Sequence, residues 1–377
     1  MEAVVTDIFT TPPMRLTQVD AGAIERELAR LWSAATETEQ TGGVALMRAC
    51  IFNLVVLTDA AKVAPVTNII ARLTALRPHR AIVAALDGDE HTTAPQPRLE
   101  AWVQAHCTLA PPGRPQMCGE QITIIASHAA GPYIPGIVLS LLEPDVPVVL
   151  WWTLDRFPDH ALLASLQPVA DRLILDTAQM PGGVDTLHAV QALIDAGVAV
   201  GDFVWGRLTP WREQIAQLFD APPALQRLQS IECVTISHVP RGATAALLLA
   251  GWIAARLDWR LSAVHHTGAV LSRPDGGSVR IDRVEVATET ADDLMSAVLE
   301  TTDARFTVIR SATGDYLIAC TVIDDLMPVE RAVHLPALDA ATLIADELRL
   351  AHHDPIYEAA LRQALDLANQ QPTPAPE

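Results

Sequence analysis

The chain has 377 residues, half of them hydrophobic, and a formal net charge of −19 at pH 7. This length and hydrophobicity are sufficient for a large core and for more than one domain. The negative charge argues against a nucleic acid or an anionic membrane as a partner, because both carry negative charge themselves. Lys62 is the only lysine, and the Gly-Lys-Ser/Thr sequence of a Walker-type phosphate loop is absent.

The cysteines bear on the cellular compartment. Five cysteines are scattered along the chain without a CxxC pair or a zinc-ligand spacing. An odd, scattered set with no recognisable signal peptide predicts reduced thiols and a cytoplasmic location. The longest apolar run, 243–255, is too short to span a bilayer and predicts a buried helix.

The first half of the chain predicts alternating strands and helices. Residues 1–20 are predicted to form a loose leader, and the spacing of Ile24, Leu28 and Leu31 predicts an amphipathic helix. A strand, a helix and a second strand then follow in the order of a βαβ unit. The predictions in chain order are a helix over 21–32, a polar loop over 36–43, a strand within 48–58, a helix over 60–76, strands over 81–86, 99–109 and 121–127, a helix over 134–142, a strand over 147–153, a helix over 159–166, a strand over 171–177 and a helix over 184–195.

The segment PDVPVVLWWTLD at 144–155 predicts the strand around which this half is organised. Its short apolar run is typical of a strand covered on both faces in a parallel sheet. Ligands of open α/β sheets bind beyond the carboxyl ends of the strands. Trp151, Trp152 and Asp155 are therefore expected at this end of the strand. At most one of the two tryptophans can face a given site, because adjacent side chains of a strand point to opposite faces.

The second half predicts an α/β arrangement with antiparallel strands. The turn sequence RPDGGS at 273–278 predicts a hairpin loop. The predicted elements are a strand over 232–239, a helix over 243–257, strands over 260–265, 268–271, 279–286, 305–311 and 316–323, and helices over 340–350 and 356–370.

The fold class predicted from these elements is α/β with two α/β domains. The first domain, 21–200, is expected to hold a largely parallel sheet, and the second, 201–369, a mixed sheet with antiparallel strands. Residues 370–377 are predicted to be a disordered tail, because their composition is rich in proline and polar residues.

A search for catalytic and metal-binding motifs gives negative results. The sequence has no dinucleotide-binding glycine loop, nucleophile elbow, zincin motif or EF-hand. The doublets His265–His266 and His352–His353 invite a metal interpretation, but adjacent side chains on a strand point to opposite faces. We therefore predict no catalytic residue, no cofactor and no metal ligand.

Two sets of residues around a proline-rich loop leave alternatives open. Cys107 and Cys118 flank this loop and could approach each other as a redox pair, or remain two unpaired core thiols. Glu120 and Gln121, at the start of a strand, could form a buried site or satisfy backbone groups of the loop.

The most distinctive segment is DFVWGRLTPWREQIAQLFD at 202–220. It places Trp205, Arg207, Trp211 and Arg212 within eight positions. Tryptophan and arginine are the residues most enriched at the binding hot spots of protein interfaces. The alternative is that the tryptophans pack in the core and the arginines pair with the aspartates at the two ends of the segment, Asp202 and Asp220.

Six motifs occur in an order that resembles a known family. They are RPHRAIV at 77–83, CGEQITI at 118–124, PDVPVVLWW at 144–152, DRLILDT at 171–177, FVWGRLTPWREQIAQLFD at 203–220 and GWIAARLDW at 251–259. Together they resemble the OpcA family, the glucose-6-phosphate dehydrogenase assembly proteins. The resemblance covers about residues 48–259 and continues more weakly beyond them.

The resemblance implies a non-enzymatic cytoplasmic protein that binds glucose-6-phosphate dehydrogenase and promotes its active oligomer in the oxidative pentose phosphate pathway. From residue type alone, the candidate partner contacts are Trp205, Arg207, Trp211 and Arg212, with Trp152 as an outside candidate. The alternative is a sugar-phosphate-binding enzyme or sensor with a site beyond the strand that ends at Trp152, in which an arginine would hold the phosphate.

Overall fold

The computed structural model describes residues 8–40, 46–88, 97–108, 116–158, 160–264, 268–287, 293–336, 338–350 and 352–368. Two compact units are present, each assembled from several stretches of sequence. The first unit takes its residues from 1–175, 198–201 and 339–352, and the second from 176–197, 202–338 and 353–377. The predicted domains, 21–200 and 201–369, stay a prediction, because a compact unit is defined by contacts and a domain by independent folding.

The first unit contains a ten-stranded, largely parallel sheet. Strands β4, β5, β7, β8 and β9 run parallel to their neighbours in this group, whereas β6 pairs antiparallel with β7. Consecutive residues of β4 and β5 are buried, so both faces of the sheet are covered. Its helices and strands are β1 Ile8–Thr10, β2 Met14–Arg15, α1 Ala21–Gln40, β3 Leu46–Arg48, β4 Asn53–Asp59, α2 Val63–Leu76, β5 Arg80–Asp87, β6 Leu99–Thr108, β7 Gln116–Ser127, α3 Ile134–Ser140, β8 Val148–Trp152, α4 Ala161–Leu166, β9 Arg172–Leu175, β10 Val200–Asp202 and α10 Ala340–Glu347.

The predicted organising strand is confirmed as an interior strand. β8 lies between β4 and β9 and runs parallel to both. Four of its five residues are buried, as its apolar run requires. The predicted βαβ unit is also confirmed, since β4 and β5 are parallel neighbours joined through α2.

Two predictions near the start of the chain are wrong. β1 and β2, predicted as part of a loose leader, pair with β6 through backbone hydrogen bonds. Three-residue and two-residue strands carry too little periodicity to be recognised without the partner strand. Helix α1 extends to Gln40, through the first five of the eight residues of the predicted polar loop at 36–43.

The second unit contains an eight-stranded mixed sheet in the order β12-β13-β14-β11-β15-β16-β17-β18. β11 and β14 are parallel, and each of the other neighbouring pairs is antiparallel. The mixed sheet predicted for the second half is confirmed. The helices and strands of this unit are α5 Val184–Asp195, α6 Phe203–Arg207, α7 Thr209–Gln217, α8 Pro222–Leu225, β11 Cys233–His238, α9 Ala243–Arg256, β12 Arg260–Val264, β13 Gly268–Ser272, β14 Ser278–Glu285, β15 Leu294–Glu300, β16 Ala304–Arg310, β17 Tyr316–Ile323, β18 Val329–His334 and α11 Pro355–Ala368.

Helix α9 is the predicted buried helix, and it packs against α11. A side chain at Gly251 would overlap the backbone of Ala360 and Ala364, so only glycine permits this approach. Along the described parts of the chain, no helix combines the length and the apolar character needed to cross a membrane.

Candidate partner-binding site

Helices α6 and α7 carry the distinctive tryptophan–arginine segment. Asp202 precedes α6 and caps it by accepting a hydrogen bond from the backbone nitrogen of Val204 at 3.0 Å. Leu208, between the helices, is itself in a helical conformation, so α6 and α7 are nearly continuous. Of the four predicted contact residues, Trp205 and Arg207 therefore lie on α6, and Trp211 and Arg212 lie on α7.

Trp205 is buried rather than exposed. Its indole nitrogen donates to the carboxylate of Asp354 at 2.9 Å, and its ring lies 5.5 Å from that of Tyr357. The guanidinium carbon of Arg212 lies 3.5 Å from the centroid of the indole, and Arg212 also donates to Thr209 Oγ1 at 2.8 Å. The half-buried Arg212 is thus positioned by the buried Trp205.

Arg207 is held by two aspartates. It donates to both carboxylate oxygens of Asp176, at 2.7 and 3.1 Å, in the bidentate geometry typical of arginine. Its Nε lies 3.8 Å from Asp293, which Arg241 also approaches at 3.2 Å. The alternative in which the arginines pair with Asp202 or Asp220 is wrong for Arg207. Asp176 is its bidentate partner, whereas the oxygens of Asp202 accept from other donors.

Asp202 is fully buried and accepts four hydrogen bonds. The donors are the backbone nitrogens of Val204 and Thr177, the hydroxyl of Thr177 at 2.6 Å and the hydroxyl of Tyr357 at 3.3 Å. Burial, and then the negative charge of Asp176, raise the pKa of Asp202 to about 6. The hydrogen bonds favour the ionised carboxylate and partly oppose this shift.

Trp211 is buried beside a cavity of about 260 Å³. Its charged lining side chains are Arg207, Arg310 and Asp293, and Leu208, Pro210 and Leu335 contribute apolar surface. Because the guanidinium of Arg207 already faces Asp176 and Asp293, an anion that binds to Arg207 would have to compete with these carboxylates.

Trp152 lies at the carboxyl end of β8, but its indole is only 1% exposed. The indole nitrogen donates to the carbonyl oxygen of Leu154 at 2.9 Å. Beyond the strand, Lys62 lies 2.9 Å from Asp59 and 3.5 Å from Asp155. The two carboxylates outnumber the one ammonium group, which disfavours a phosphate at this position.

Glu120 and Gln121 bond to side chains, not to the backbone of the preceding loop. Glu120 accepts from the indole of Trp32 at 2.9 Å, from Arg48 at 3.0 Å and from the buried Arg80. Gln121 is within 2.8 Å of both His106 and Thr67. The loop-backbone interpretation was wrong because β7 begins at Gln116, so both residues lie well inside the strand.

Cys107 and Cys118 are joined by a disulfide bond. They are direct partners in the antiparallel pairing of β6 and β7, with Cα atoms 4.0 Å apart. The prediction of reduced thiols is therefore wrong for this pair, and the alternative in which the two cysteines approach each other is correct. Sequence spacing could not reveal the pairing without the register of the two strands.

The histidine doublets fall partly outside the described residues. His265 and His266 are not described, and His353 lies 2.7 Å from Glu358 on α11. Within the described ranges, no group of three or more histidine, cysteine or acidic side chains is arranged to hold a metal ion.

Sequence reasoning missed Asp176, Asp293 and Asp354, the carboxylates that hold Arg207 and Trp205. Asp176 follows β9, Asp293 precedes β15 and Asp354 precedes α11, so only the fold brings them to α6. The one available signal was that an arginine pair in an acidic chain needs carboxylate partners nearby.

The segment of α6 and α7 is packed, and the charge of Arg207 is neutralised by carboxylates of the same unit. Family models match the glucose-6-phosphate dehydrogenase subunit N-terminal domain over residues 70–192 and its C-terminal domain over residues 198–361. The chain belongs to the OpcA family. Both models carry OpcA in their names, and they follow each other along the chain.

Curated relatives carry the provisional name OxPP cycle protein OpcA. The Nostoc punctiforme protein is 26% identical over 278 residues, which is 72% of this chain and 55% of the relative. The Synechococcus elongatus protein is 27% identical over 250 residues, 66% of this chain and 52% of the relative. The chain thus spans about half the length of these curated relatives.

Among solved structures, levoglucosan dehydrogenase in complex with NADH and L-sorbose is 10% identical, with a TM-score of 0.45 over 83% of this chain and 90% of the other. The aldose–aldose oxidoreductase from Caulobacter crescentus is also 10% identical, with a TM-score of 0.45 over 82% of this chain and 94% of the other.

Proposed function

We propose that this OpcA-family chain is a non-enzymatic, cytoplasmic assembly factor that binds glucose-6-phosphate dehydrogenase and promotes its active oligomer. The observation that carries the proposal is the ordered match to both glucose-6-phosphate dehydrogenase subunit domains, over 70–192 and 198–361. The role belongs to the oxidative pentose phosphate pathway, in which the dehydrogenase produces NADPH.

The chemistry of α6 and α7 supports a binding role. A catalytic acid or base needs a lone pair or proton directed at a substrate. The carboxylate oxygens of Asp202 instead accept four hydrogen bonds from within the chain, and the guanidinium of Arg207 donates to Asp176. These groups stabilise the segment and leave its solvent-facing side chains for a partner.

The proposal assigns different tasks to the predicted contact residues. Trp205, Trp211 and Trp152 are buried, so they hold the backbone in place. Arg207 and Arg212 are only partly buried, and they remain candidate contacts for the dehydrogenase. A stable interface of about 1,600 Å² in total would extend well beyond these two side chains.

Activation through binding is a matter of differential affinity. The chain raises the activity of the dehydrogenase only when it binds the active oligomer more tightly than the inactive state. The coupling is reciprocal, so a substrate that favours the active oligomer should also tighten binding of this chain.

The proposal is tested by titrating the dehydrogenase of the same organism with this chain while NADPH formation and the mass of the complex are measured. A saturable rise in activity together with a larger complex is the expected result. The chain alone should neither bind nor turn over glucose 6-phosphate or 6-phosphogluconolactone. Turnover by the chain alone would instead support the sugar-phosphate enzyme.

A further inference from the structure

We propose that an apolar groove in the second unit receives a partner segment that presents an apolar side chain flanked by lysine or arginine. The groove lies between the α7–α8 region and the β17–β18 hairpin. This inference rests on the proposed function, in which the partner is the dehydrogenase, and it adds where the partner binds and with which chemistry.

The groove has a volume of about 330 Å³. Leu218 and Ala224 form one wall, and Ile323 of β17 and Val329 of β18 form the other. Leu326 and Met327, on the turn between the two strands, complete the rim. This volume lies at the lower end of the range of ligand pockets, about 300–1,000 Å³.

Three apolar side chains at the groove are unusually exposed. Met327 is 86% exposed, Val329 65% and Leu326 50%. Single exposed apolar residues are common, but a contiguous set around a concavity marks an interaction site. Methionine is unbranched and polarisable, so Met327 can adapt its shape to the surface that covers it.

The groove lies beside a sheet edge. β18 is the last strand in the order of the second sheet as far as the structure describes it, and its pairing to β17 leaves its other edge unpaired within that order. A strand edge offers backbone donors and acceptors to an extended segment of another chain. Apolar side chains of such a segment, at every second position, would reach the groove.

The charged residues around the groove favour a basic partner segment. Asp220 and Arg331 line the groove, and Asp324 and Asp325 belong to the turn that carries Met327; all four residues are exposed. Three carboxylates against one guanidinium give a local net charge of −2. A second copy of this chain, with its own charge of −19, would be repelled, whereas a segment with lysine or arginine would be attracted.

The test is a titration of the dehydrogenase with wild-type chain, Met327→Asp and the matched control Met47→Asp. Met47 is 49% exposed on β3 of the first unit, so the control makes the same chemical change far along the chain from the groove. Circular dichroism and thermal melting verify that both variants fold. The concentration of chain at half-maximal activation is measured for each variant.

Met327→Asp is expected to raise the half-saturating concentration by about tenfold or more, the effect of removing a hot-spot residue. Met47→Asp should stay within about twofold of wild type, as expected of a residue outside the interface. The double substitution Asp324→Arg and Asp325→Arg should also weaken binding, because it reverses the attraction.

Three results would overturn the inference. A half-saturating concentration for folded Met327→Asp equal to that of wild type would show that the groove is not used. A mass of the isolated wild-type chain that is dimeric and becomes monomeric on Met327→Asp would show that a second copy fills the groove. Failure of the wild-type chain to bind the dehydrogenase would reject the proposed function itself. The titration with the wild-type chain shows this outcome without any variant.

Discussion

The guanidinium of Arg212 stacks on the buried indole of Trp205, with 3.5 Å between the guanidinium carbon and the ring centroid. This contact fixes a long, flexible side chain on a rigid aromatic surface. It links the two residue types that identified the segment in the sequence. Through this contact the buried Trp205 positions the partly exposed Arg212.

Arg212→Ala removes the cation–π contact and the hydrogen bond to Thr209, so we expect a loss of about 1 kcal/mol in the free energy of unfolding. Urea denaturation measures this loss. Arg212→Lys should recover only part of it, because an ammonium group lacks the planar face of guanidinium. Arg349→Ala, at an exposed arginine of the first unit, is the control and should change stability little.

Binding gives Arg212 a second readout. As a candidate partner contact, Arg212→Ala should raise the half-saturating concentration in the dehydrogenase titration, whereas Arg349→Ala should not. Equal half-saturating concentrations for the two folded variants would remove Arg212 from the interface.

The buried Asp202 predicts a pH dependence of stability. Its pKa is about 6 in the folded chain against an ordinary value of 3.8, so between these values the folded state holds more protons than the unfolded state. The contribution of Asp202 is therefore fully favourable below about pH 4, and it is lost as the pH rises through 6. The difference between the two pKa values corresponds to a change on the order of 3 kcal/mol in the free energy of unfolding.

Asp202→Asn should remove this dependence. Its amide oxygen can still accept from Val204 and Thr177, and the hydroxyls of Thr177 and Tyr357 can rotate to accept from the amide nitrogen. The stability of wild type relative to Asp202→Asn should fall from about pH 4 to about pH 7 in urea denaturation. Asp220→Asn, at an exposed residue, is the control. If the free energies of unfolding of wild type and Asp202→Asn differ by the same amount at every pH in this range, the pKa of Asp202 is not raised.

Glu120 neutralises buried charge in the first unit. Glu120→Ala leaves the buried Arg80 with fewer carboxylate partners, so we expect a loss of about 3 kcal/mol in the free energy of unfolding. Glu100→Ala breaks a surface pair with Arg15 and should cost less than about 1 kcal/mol. Similar losses for the two variants would show that Glu120 is not an important partner of Arg80.

The disulfide between Cys107 and Cys118 predicts a thiol count and a stability change. The unfolded chain should react as three free thiols, Cys50, Cys233 and Cys320, before reduction, and as five after it. Chain-entropy arguments for a sequence separation of 11 give a loss of about 3 kcal/mol for Cys107→Ala with Cys118→Ala. Cys320→Ala is the control for the stability change. A count of five free thiols in the unfolded chain without reductant would contradict the pairing of Cys107 with Cys118.

Periodicity predicted the larger elements because each carries its own signal. The apolar run of β8 and the βαβ unit of β4, α2 and β5 could be identified locally, since burial on both faces leaves continuous hydrophobic stretches. Strand β18 was missed because its six residues are largely exposed and show no alternation.

The candidate site was predictable in residue type but not in arrangement. The sequence identified Trp205 and Arg212 as neighbours of interest, yet burial of the tryptophan depends on Asp354 and Tyr357, roughly 150 positions later. The groove at Met327 has no local motif, because exposure is a property of the fold.

We propose that the chain binds glucose-6-phosphate dehydrogenase and raises its activity. A single titration, in which NADPH formation and the mass of the dehydrogenase complex are followed together, tests both parts of this proposal. We predict that both rise and saturate at the same concentration of added chain. No change in either quantity, with an active dehydrogenase and a folded chain, would show that the chain is not an activator of the dehydrogenase.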